Sequence, residues 1–371
     1  MSGRKKPEAP INVAPPIATL REARRRAKQL VPPQSWDWLE TGTEREWSRF
    51  ANLNAFADYH PVQRVFRDVS KIETKCDFLG VPLPLPLIGS PLGGLTQYHQ
   101  GGEVALLEGC GLAGSVATIS AMARLRIEDA RRANPDAHLI YQLYFQGPKE
   151  WIASEIERAH KVGAMAICLC GDAPVRTVRY RDRESRYDAR KFGARENSPA
   201  PDHALGARAD WELVKWVRAQ TKKPLLIKGV MCGEDAERCL AHGADGVWVS
   251  NHGGRALDAG IASLDVLPEI RATVGQDTLV LFDGGVSTGI DVLRAIALGA
   301  NIVAVGRPLV YGLAIDGATG VQRIFELYRE EFTSAMAMCG VTSLDAIQPN
   351  ILRVRRSARE NLELAKRGRT D

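Results

Sequence analysis

One pattern recurs in this chain and constrains its fold more than any other feature. A helical stretch ends in Gly, usually Gly-Ala, and a short apolar run begins at once. It occurs at Gly163–Leu169, Gly243–Val249 and Gly299–Val305, with a looser copy at Gly111–Ala117. Glycine suits the left-handed backbone just past a helix end. The run after it has the length of a strand buried on both faces. Four more runs, Leu85–Ile88, Leu139–Tyr144, Pro224–Lys228 and Leu279–Asp283, also read as strands, and helical patterns such as Glu234–His242 and Thr288–Leu298 fill the gaps. Eight strands, each followed by a helix, predict an α/β fold of the closed (β/α)8 (TIM) barrel type.

The strand ends fall near Pro91, Ser120, Tyr144, Cys170, Lys228, Ser250, Asp283 and Gly306, at successive gaps of 29, 24, 26, 58, 22, 33 and 23 residues. The one long gap, after strand 4, holds Asp172–Trp211, which is poor in apolar residues and carries eight arginines. A long loop after a barrel strand lies on the catalytic face, so it reads as a lid over an acidic substrate. A functionless insert is the alternative. The barrel is expected over 35–352. Residues 1–34 form a Pro-rich, then basic and helical N-terminal extension, and 353–371 a charged, helical tail.

Apolar residues at 45% and charged residues at 25% of 371 exclude a disordered, collagen-like or coiled-coil chain. No apolar run approaches the roughly 18 residues of a membrane span. The most apolar early stretch, Val81–Leu95, is broken by four prolines and three glycines, and Pro7, Glu8 and Pro10 interrupt any secretory core. The net charge of +5 is concentrated in Arg21–Lys28 and Leu352–Asp371, a distribution of solvated faces and tails rather than of a nucleic-acid module. Seven cysteines without CxxC spacing point away from disulfides and from a metal site, toward small buried hydrophobes in a reducing cytoplasm.

The polar residues of interest track the strand period. Tyr144, Asp172, Lys228, Ser250, His252, Arg255, Asp283 and Arg307 all lie within a few residues of a strand end, which a barrel gathers at one mouth. Lys228 closes an apolar run, so its ammonium either meets an anion or electron-rich group in a closed cavity or snorkels to the rim. In Ser250-Asn-His-Gly-Gly-Arg255, His252 is a candidate proton acceptor and Arg255 a fork for a carboxylate or phosphate. Asp283-Gly-Gly285 and Gly306-Arg307 end strands 7 and 8, whose loops commonly hold phosphate.

Tyr141-Gln-Leu-Tyr144, Leu226-Ile-Lys-Gly229, Ser250-Asn-His-Gly-Gly-Arg-Ala-Leu-Asp258, Asp283-Gly-Gly285, Ala297-Leu-Gly-Ala300 and Gly306-Arg-Pro308 resemble the FMN-dependent 2-hydroxy-acid oxidase and dehydrogenase family, over about Ser35–Asn350. Glycolate oxidase, lactate oxidase and mandelate dehydrogenase are its members. The resemblance implies His252 as active-site base, Asp172 as the group orienting it, and Arg255 and Arg179 as a clamp on the substrate carboxylate. It implies that Tyr144 bonds the reacting oxygen and that Lys228 stabilises the reduced cofactor. Pro91, Leu92, Gly93, Ser120, Gln142, Cys170 and Ser250 would line the FMN ring; Asp283, Gly284, Gly285, Ser287, Gly306 and Arg307 would hold its ribityl phosphate.

The same alignment exposes departures. Trp38 stands where the family has a substrate-binding tyrosine, Met122 where it has a tryptophan, Leu92 and Cys170 where it has threonines, and Ser287 where it has an arginine. A rebuilt pocket wall around an intact proton-transfer core implies oxidation of a bulky or non-standard 2-hydroxy acid. FMN-dependent oxidation of an amine or modified amino acid is the alternative, and a barrel that binds a phosphorylated ligand without turnover a more distant one. The electron acceptor (oxygen, a quinone or a carrier protein) is open. Relatives of this kind are often tetramers, so a homo-oligomer is expected.

Overall fold

The computed structural model describes residues 15–188 and 203–355. Eight parallel strands close a barrel in chain order: β1 Leu87–Leu92, β2 Val116–Ser120, β3 His138–Leu143, β4 Ala166–Cys170, β5 Leu225–Val230, β6 Gly246–Val249, β7 Leu279–Phe282 and β8 Ile302–Val305. The recurrent glycines end their helices as the repeat predicts, except that in the looser copy Gly114 takes the role and Gly111 lies inside the helix Gly102–Leu112. Gly114, Gly163, Gly243 and Gly299 have φ of 68, 66, 89 and 116°. The next amide closes the preceding helix each time: Ser115 N–H on Cys110 O, Ala164 on Ala159, Ala244 on Cys239 and Ala300 on Ala295, at 2.8–3.0 Å.

β1 and β5 run on past the apolar segments that mark them. β1 starts later than Leu85 and runs on through Gly89-Ser-Pro-Leu92, where the pairing with β2 is irregular. Glycine and proline hide that extension, since both are rare in strands except at such irregularities. β5 likewise continues past Lys228 through Gly229.

Alternation along the strands divides the core. Ile88, Val116, Ile140, Ala166, Cys168, Leu226, Trp248, Leu281, Ile302 and Ala304 fill the barrel, sealed below by Phe78, Val81 and Leu83 of a short hairpin. Outward residues such as Leu169, Ile227 and Val247 pack against the helices. Further inward positions toward the strand ends are Ser90 and Thr118 and then the top layer: Leu92, Ser120, Gln142, Cys170, Lys228, Ser250, Asp283 and Gly306. Each of these eight is a residue that the sequence assigned to the cofactor.

The N-terminal region covers this face. Helix Leu20–Leu30 buries Leu20, Ala23 and Ala27 in the same core as the barrel's outer helices. Residues 41–49 lie across the mouth, tied by Thr43 N to Gly254 O (3.0 Å), Glu44 N to Val178 O (2.9 Å) and Arg45 N to Asp258 Oδ2 (2.8 Å). The long loop is described over 172–188 and 203–211; its first part docks on the N-terminal region through Gln34 Nε2 to Ser185 O (2.8 Å) and Arg181 to Glu46 (2.6 Å), and 189–202 of the expected lid lie outside the described residues. Residues 352–354 are a strand paired with 59–61, not the start of a helical tail, and the remainder of that tail also lies outside. Among the described residues no helix is long and apolar enough to cross a membrane.

Candidate active site

The mouth contains two kinds of charge. The first is a set of mutually satisfied pairs. Asp172 lies just beyond β4, packed flat on Gly229 of β5, whose φ is +105°; a Cβ there would sit 2.5 Å from the Asp172 Cβ. His252 follows β6 in a left-handed conformation, φ 59°, before Gly253 and Gly254 at 65 and 75°. That turn is forced by close packing, because a Cβ on Gly254 would lie 2.4 Å from Arg49 N. It brings His252 Nδ1 to 2.8 Å from Asp172 Oδ1. With Nδ1–H donating to the carboxylate, Nε2 keeps a free lone pair. Cys170 Sγ donates to the same oxygen at 2.9 Å. Burial pushes the Asp172 carboxyl up, but the charges of His252 and Lys228 outweigh it and hold the group well below the usual carboxylate range. The Tyr144 ring stands 6.5 Å from that of His252, and burial keeps its hydroxyl protonated.

Beside this pair Lys228 Nζ donates to Ser250 Oγ (2.6 Å) and lies 3.2 Å from Asp283 Oδ2. Ser250 Oγ donates to Asp283 Oδ1 (2.6 Å) and accepts the His252 amide (3.1 Å), while Ser90 Oγ donates to Asp283 Oδ2 (3.0 Å). Burial disfavours the Lys228 charge; Asp283 and Asp172 more than restore it, so the ammonium persists in the closed layer. The inward, paired orientation settles the choice between cavity and rim for this lysine.

The second kind of charge is held mainly by backbone carbonyls, with only one long ion pair, Arg179 to Asp182 at 3.8 Å. Arg255 Nη1 donates to the carbonyls of Trp38 (2.7 Å), Thr41 (2.8 Å) and Leu39 (3.3 Å). Arg307 donates through Nε to Leu39 O (3.0 Å) and through Nη2 to Gly253 O (3.1 Å) and Thr41 O (3.3 Å). Arg179 reaches no carboxylate closer than Asp182, at 3.8 Å, and its buried Nε has no partner among the described residues. Burial, then mutual repulsion with Arg179 and Arg307, drives the Arg255 pKa well below its ordinary value. Like cations held together by carbonyls are a cluster that an anion would relieve. Trp38 lies under Arg255, its ring 4.9 Å from the guanidinium carbon, with Tyr187 against its other neighbour side at 5.8 Å. Trp38 thus packs against the arginine cluster rather than in the barrel core. Tyr187 is fixed by a 2.7 Å bond from its hydroxyl to Gln97 Oε1.

The fit of FMN rests on this chain's own atoms. Gln142 Nε2, in the inward layer, is buried without a partner among the described residues. A Cβ on Gly93 would meet nothing within 4 Å, leaving open space above β1. Met122 is half-buried, with its amide on Ser120 Oγ (3.2 Å). A lysine, an unpaired amide donor and an arginine set suit a polar ring with an anionic tail. Ser287 does not join them: its side chain is exposed, and its hydroxyl donates to Gly285 O (2.9 Å). Its amide is spent on Asp291 (3.0 Å) in capping the helix Gly289–Ala297. Gly284 and Gly285 pack tightly under Ser263 and Asn52, which would lie 2.2 and 2.1 Å from added Cβ atoms. The cationic group nearest this side is Arg307.

A cavity of about 300 Å³ also lies outside the β3–β5 wall, lined by outward residues such as Leu169, Ile227, Trp211 and Val214. Its lining also includes Tyr144, Cys170 and Lys228, so it adjoins the inward layer that carries the convergent charge. Sequence reasoning missed Ser90, Trp248 (whose ring lies 5.7 Å from Lys228 Nζ), Asp182 and Tyr187. Continuing the period of two past Ile88 finds Ser90, and counting back from Ser250 finds Trp248; Asp182 and Tyr187 sit in the irregular loop, where no period points.

Comparison with known proteins agrees. The FMN-dependent dehydrogenase family model matches residues 27–354. The chain is 33% identical to human 2-hydroxyacid oxidase 1 over 359 residues, covering 91% of this chain and 97% of the relative. It is 33% identical to an L-lactate dehydrogenase of Caulobacter, covering 91% and 98%. A crystal structure of mandelate oxidase superposes with a TM-score of 0.85 at 33% identity, over 92% of this chain and 100% of that one. By sequence, by barrel and by the residues at its mouth, this chain belongs to the FMN-dependent dehydrogenase family.

Proposed function

We propose that the protein oxidises a bulky or non-standard 2-hydroxy acid to the 2-oxo acid. The observation that carries this reading is the meeting, at one mouth, of a carboxylate-oriented imidazole with clustered arginines whose nearest carboxylate, Asp182, stands 3.8 Å from Arg179. Arg179 and Arg255 bind the substrate carboxylate, which neutralises their repulsion. His252 Nε2 takes the proton lost from the substrate, and Asp172 stabilises the imidazolium that forms. Tyr144 donates a hydrogen bond to the reacting oxygen. The inward layer from Leu92 to Gly306 holds FMN, with Lys228 as its cationic neighbour and Arg307 toward its phosphate. FMN supplies the two-electron acceptor that no side chain here provides. Trp38, Tyr187 and Met122 shape the space for the substrate's side chain.

Anaerobic mixing of the yellow holoprotein with a panel of acids tests this. Bleaching by aryl or branched 2-hydroxy acids, ahead of glycolate and lactate, is the expected result. Preferential bleaching by 2-amino acids transfers the assignment to amine oxidation. The electron acceptor is read from oxygen consumption against quinone reduction after the same bleaching. We also propose a homo-oligomer. Trp47, Phe50 and Leu53 form an exposed stripe on one helix, beside exposed Leu257 and Ile261, and light scattering checks the assembly. The seven cysteines are all free, which supports a cytoplasmic location.

A further inference from the structure

Cys170, Asp172 and His252 present a thiol, a carboxylate and an imidazole nitrogen within 4.8 Å of one another. Sγ lies 2.9 Å and Nδ1 2.8 Å from Asp172 Oδ1, and Sγ lies 3.9 Å from Nδ1. We propose that this trio binds a zinc ion, and that occupancy switches off the base.

The donor set suits zinc by kind and by geometry. Bonds of about 2.3 Å to sulfur and about 2.0–2.1 Å to nitrogen and oxygen place tetrahedral ligands roughly 3.2–3.6 Å apart, so each atom moves by a few tenths of an ångström. A thiolate and a carboxylate together cancel the ion's charge, and the fourth position faces the mouth. Asp172 Oδ2, in a side chain only 7% exposed, has no hydrogen-bond partner among the described residues and is free to rotate into the coordination. The cysteine spacing of the sequence could not signal this site, because its ligands come from the ends of two separate strands.

The consequence for the base is a matter of tautomers. His252 as base carries its proton on Nδ1 and its lone pair on Nε2. Zinc takes the lone pair of Nδ1, so the proton moves to Nε2, where none can then be accepted. The thiol loses its proton to solvent. S–H and Nδ1–H break, Zn–S, Zn–N, Zn–O and Nε2–H form, and nothing is oxidised. The metal site rests on geometry alone; only its inhibitory effect rests on His252 being the base. The groups facing the trio are Lys228, itself paired with Asp283 and Ser250, and Tyr144, both fixed in charge near neutrality. One proton is released on binding, so the affinity rises about tenfold per pH unit while the thiol is protonated.

The holoenzyme is titrated with Co²⁺ alone and with Zn²⁺ alone, following difference spectra and turnover. We expect a thiolate-to-cobalt charge-transfer band that saturates at one equivalent, is displaced by Zn²⁺ and accompanies loss of turnover. Cys170→Ser and Cys170→Thr, each judged against its own metal-free rate, lose the band. Their inhibition constants rise by more than the roughly 100-fold that an outer-shell loss costs. Cys232→Ser, at a half-buried thiol distant in sequence from the trio, keeps both. No band, or a band surviving Cys170→Ser, overturns the site. A band that depends on Cys170 while turnover persists sustains the site and overturns the assignment of His252 as base.

Discussion

The two sides of the mouth solve the problem of buried charge in opposite ways. On the His252 side every charge has a counter-charge within a few ångströms: His252 with Asp172, and Lys228 with Asp283 through Ser250. On the arginine side the guanidiniums are held by the carbonyls of Trp38, Leu39, Thr41 and Gly253, and Arg179 is 3.8 Å from its nearest carboxylate. The paired side is complete without a ligand and positions a proton. The cationic side is incomplete without an anion, and its cost in the free protein is what an anionic substrate relieves. Removing a charge should therefore have opposite effects on stability on the two sides.

The largest effect is expected at the centre of the paired side. His252→Gln should slow reduction of the bound flavin by about 10²–10⁴-fold, the range of general acid–base catalysis, while the protein stays yellow. Rapid-mixing spectroscopy checks it. Arg179→Met or Arg255→Met should raise KM for a 2-hydroxy acid by roughly ten- to a hundredfold, the worth of a charge-assisted bond of about 1.5–3 kcal/mol. The same changes should hold or raise the melting temperature of the substrate-free protein, whereas Asp283→Asn, which strands Lys228, should lower it. Calorimetry separates the two sides; a destabilised Arg179→Met protein would break the comparison.

Gly229→Ala tests how Asp172 is seated. The added methyl meets Asp172 at 2.5 Å and imposes side-chain strain at φ +105°, so we expect a loss of about 1–3 kcal/mol and a weakened imidazole–carboxylate pair. A smaller effect is expected at Glu40, which anchors the roof by accepting bonds from Arg24 and Arg49 (2.8 and 2.6 Å) and from Tyr311. Burial raises its pKa, but the bonds from Arg24 and Tyr311 outweigh this and lower it from 4.5 to about 2. A depressed carboxylate stabilises the fold above its unfolded pKa and loses that contribution as pH falls through the folded one. Unfolding measured from pH 4.5 down to 2 should flatten in Glu40→Gln. Smallest is Trp38→Tyr, which restores a hydroxyl beside Arg255 and should shift preference toward small acids by less than about tenfold; rate ratios across the acid panel check it.

Most of the barrel and the paired side were legible in the sequence, because both obey a period. The Gly-Ala repeat marks where helices stop, and the alternation of two carries each strand's last inward residue, from Leu92 to Gly306, into one layer. The limits of legibility are equally physical. Ser287 has the right position in the chain, but the demand to cap the next helix turns it outward. Arg307 reaches the mouth yet spends two of its nitrogens on backbone carbonyls, which no spacing reveals. Tyr187 and Asp182 come from a loop whose path is set by contacts with residues 34–46, far away in sequence. That Cys170 shares an acceptor oxygen with His252 depends on a glycine, Gly229, on the neighbouring strand.

The central claim is that one mouth joins a proton acceptor to an anion site around a flavin. Single-turnover anaerobic reduction of the holoprotein by a saturating aryl 2-hydroxy acid, in the native chain and in His252→Gln, tests it most directly. The account predicts fast bleaching in the first and bleaching slowed by at least about a hundredfold in the second, with equal flavin content. Equal rates in both proteins, or a native chain that purifies without flavin and takes none up, would contradict it.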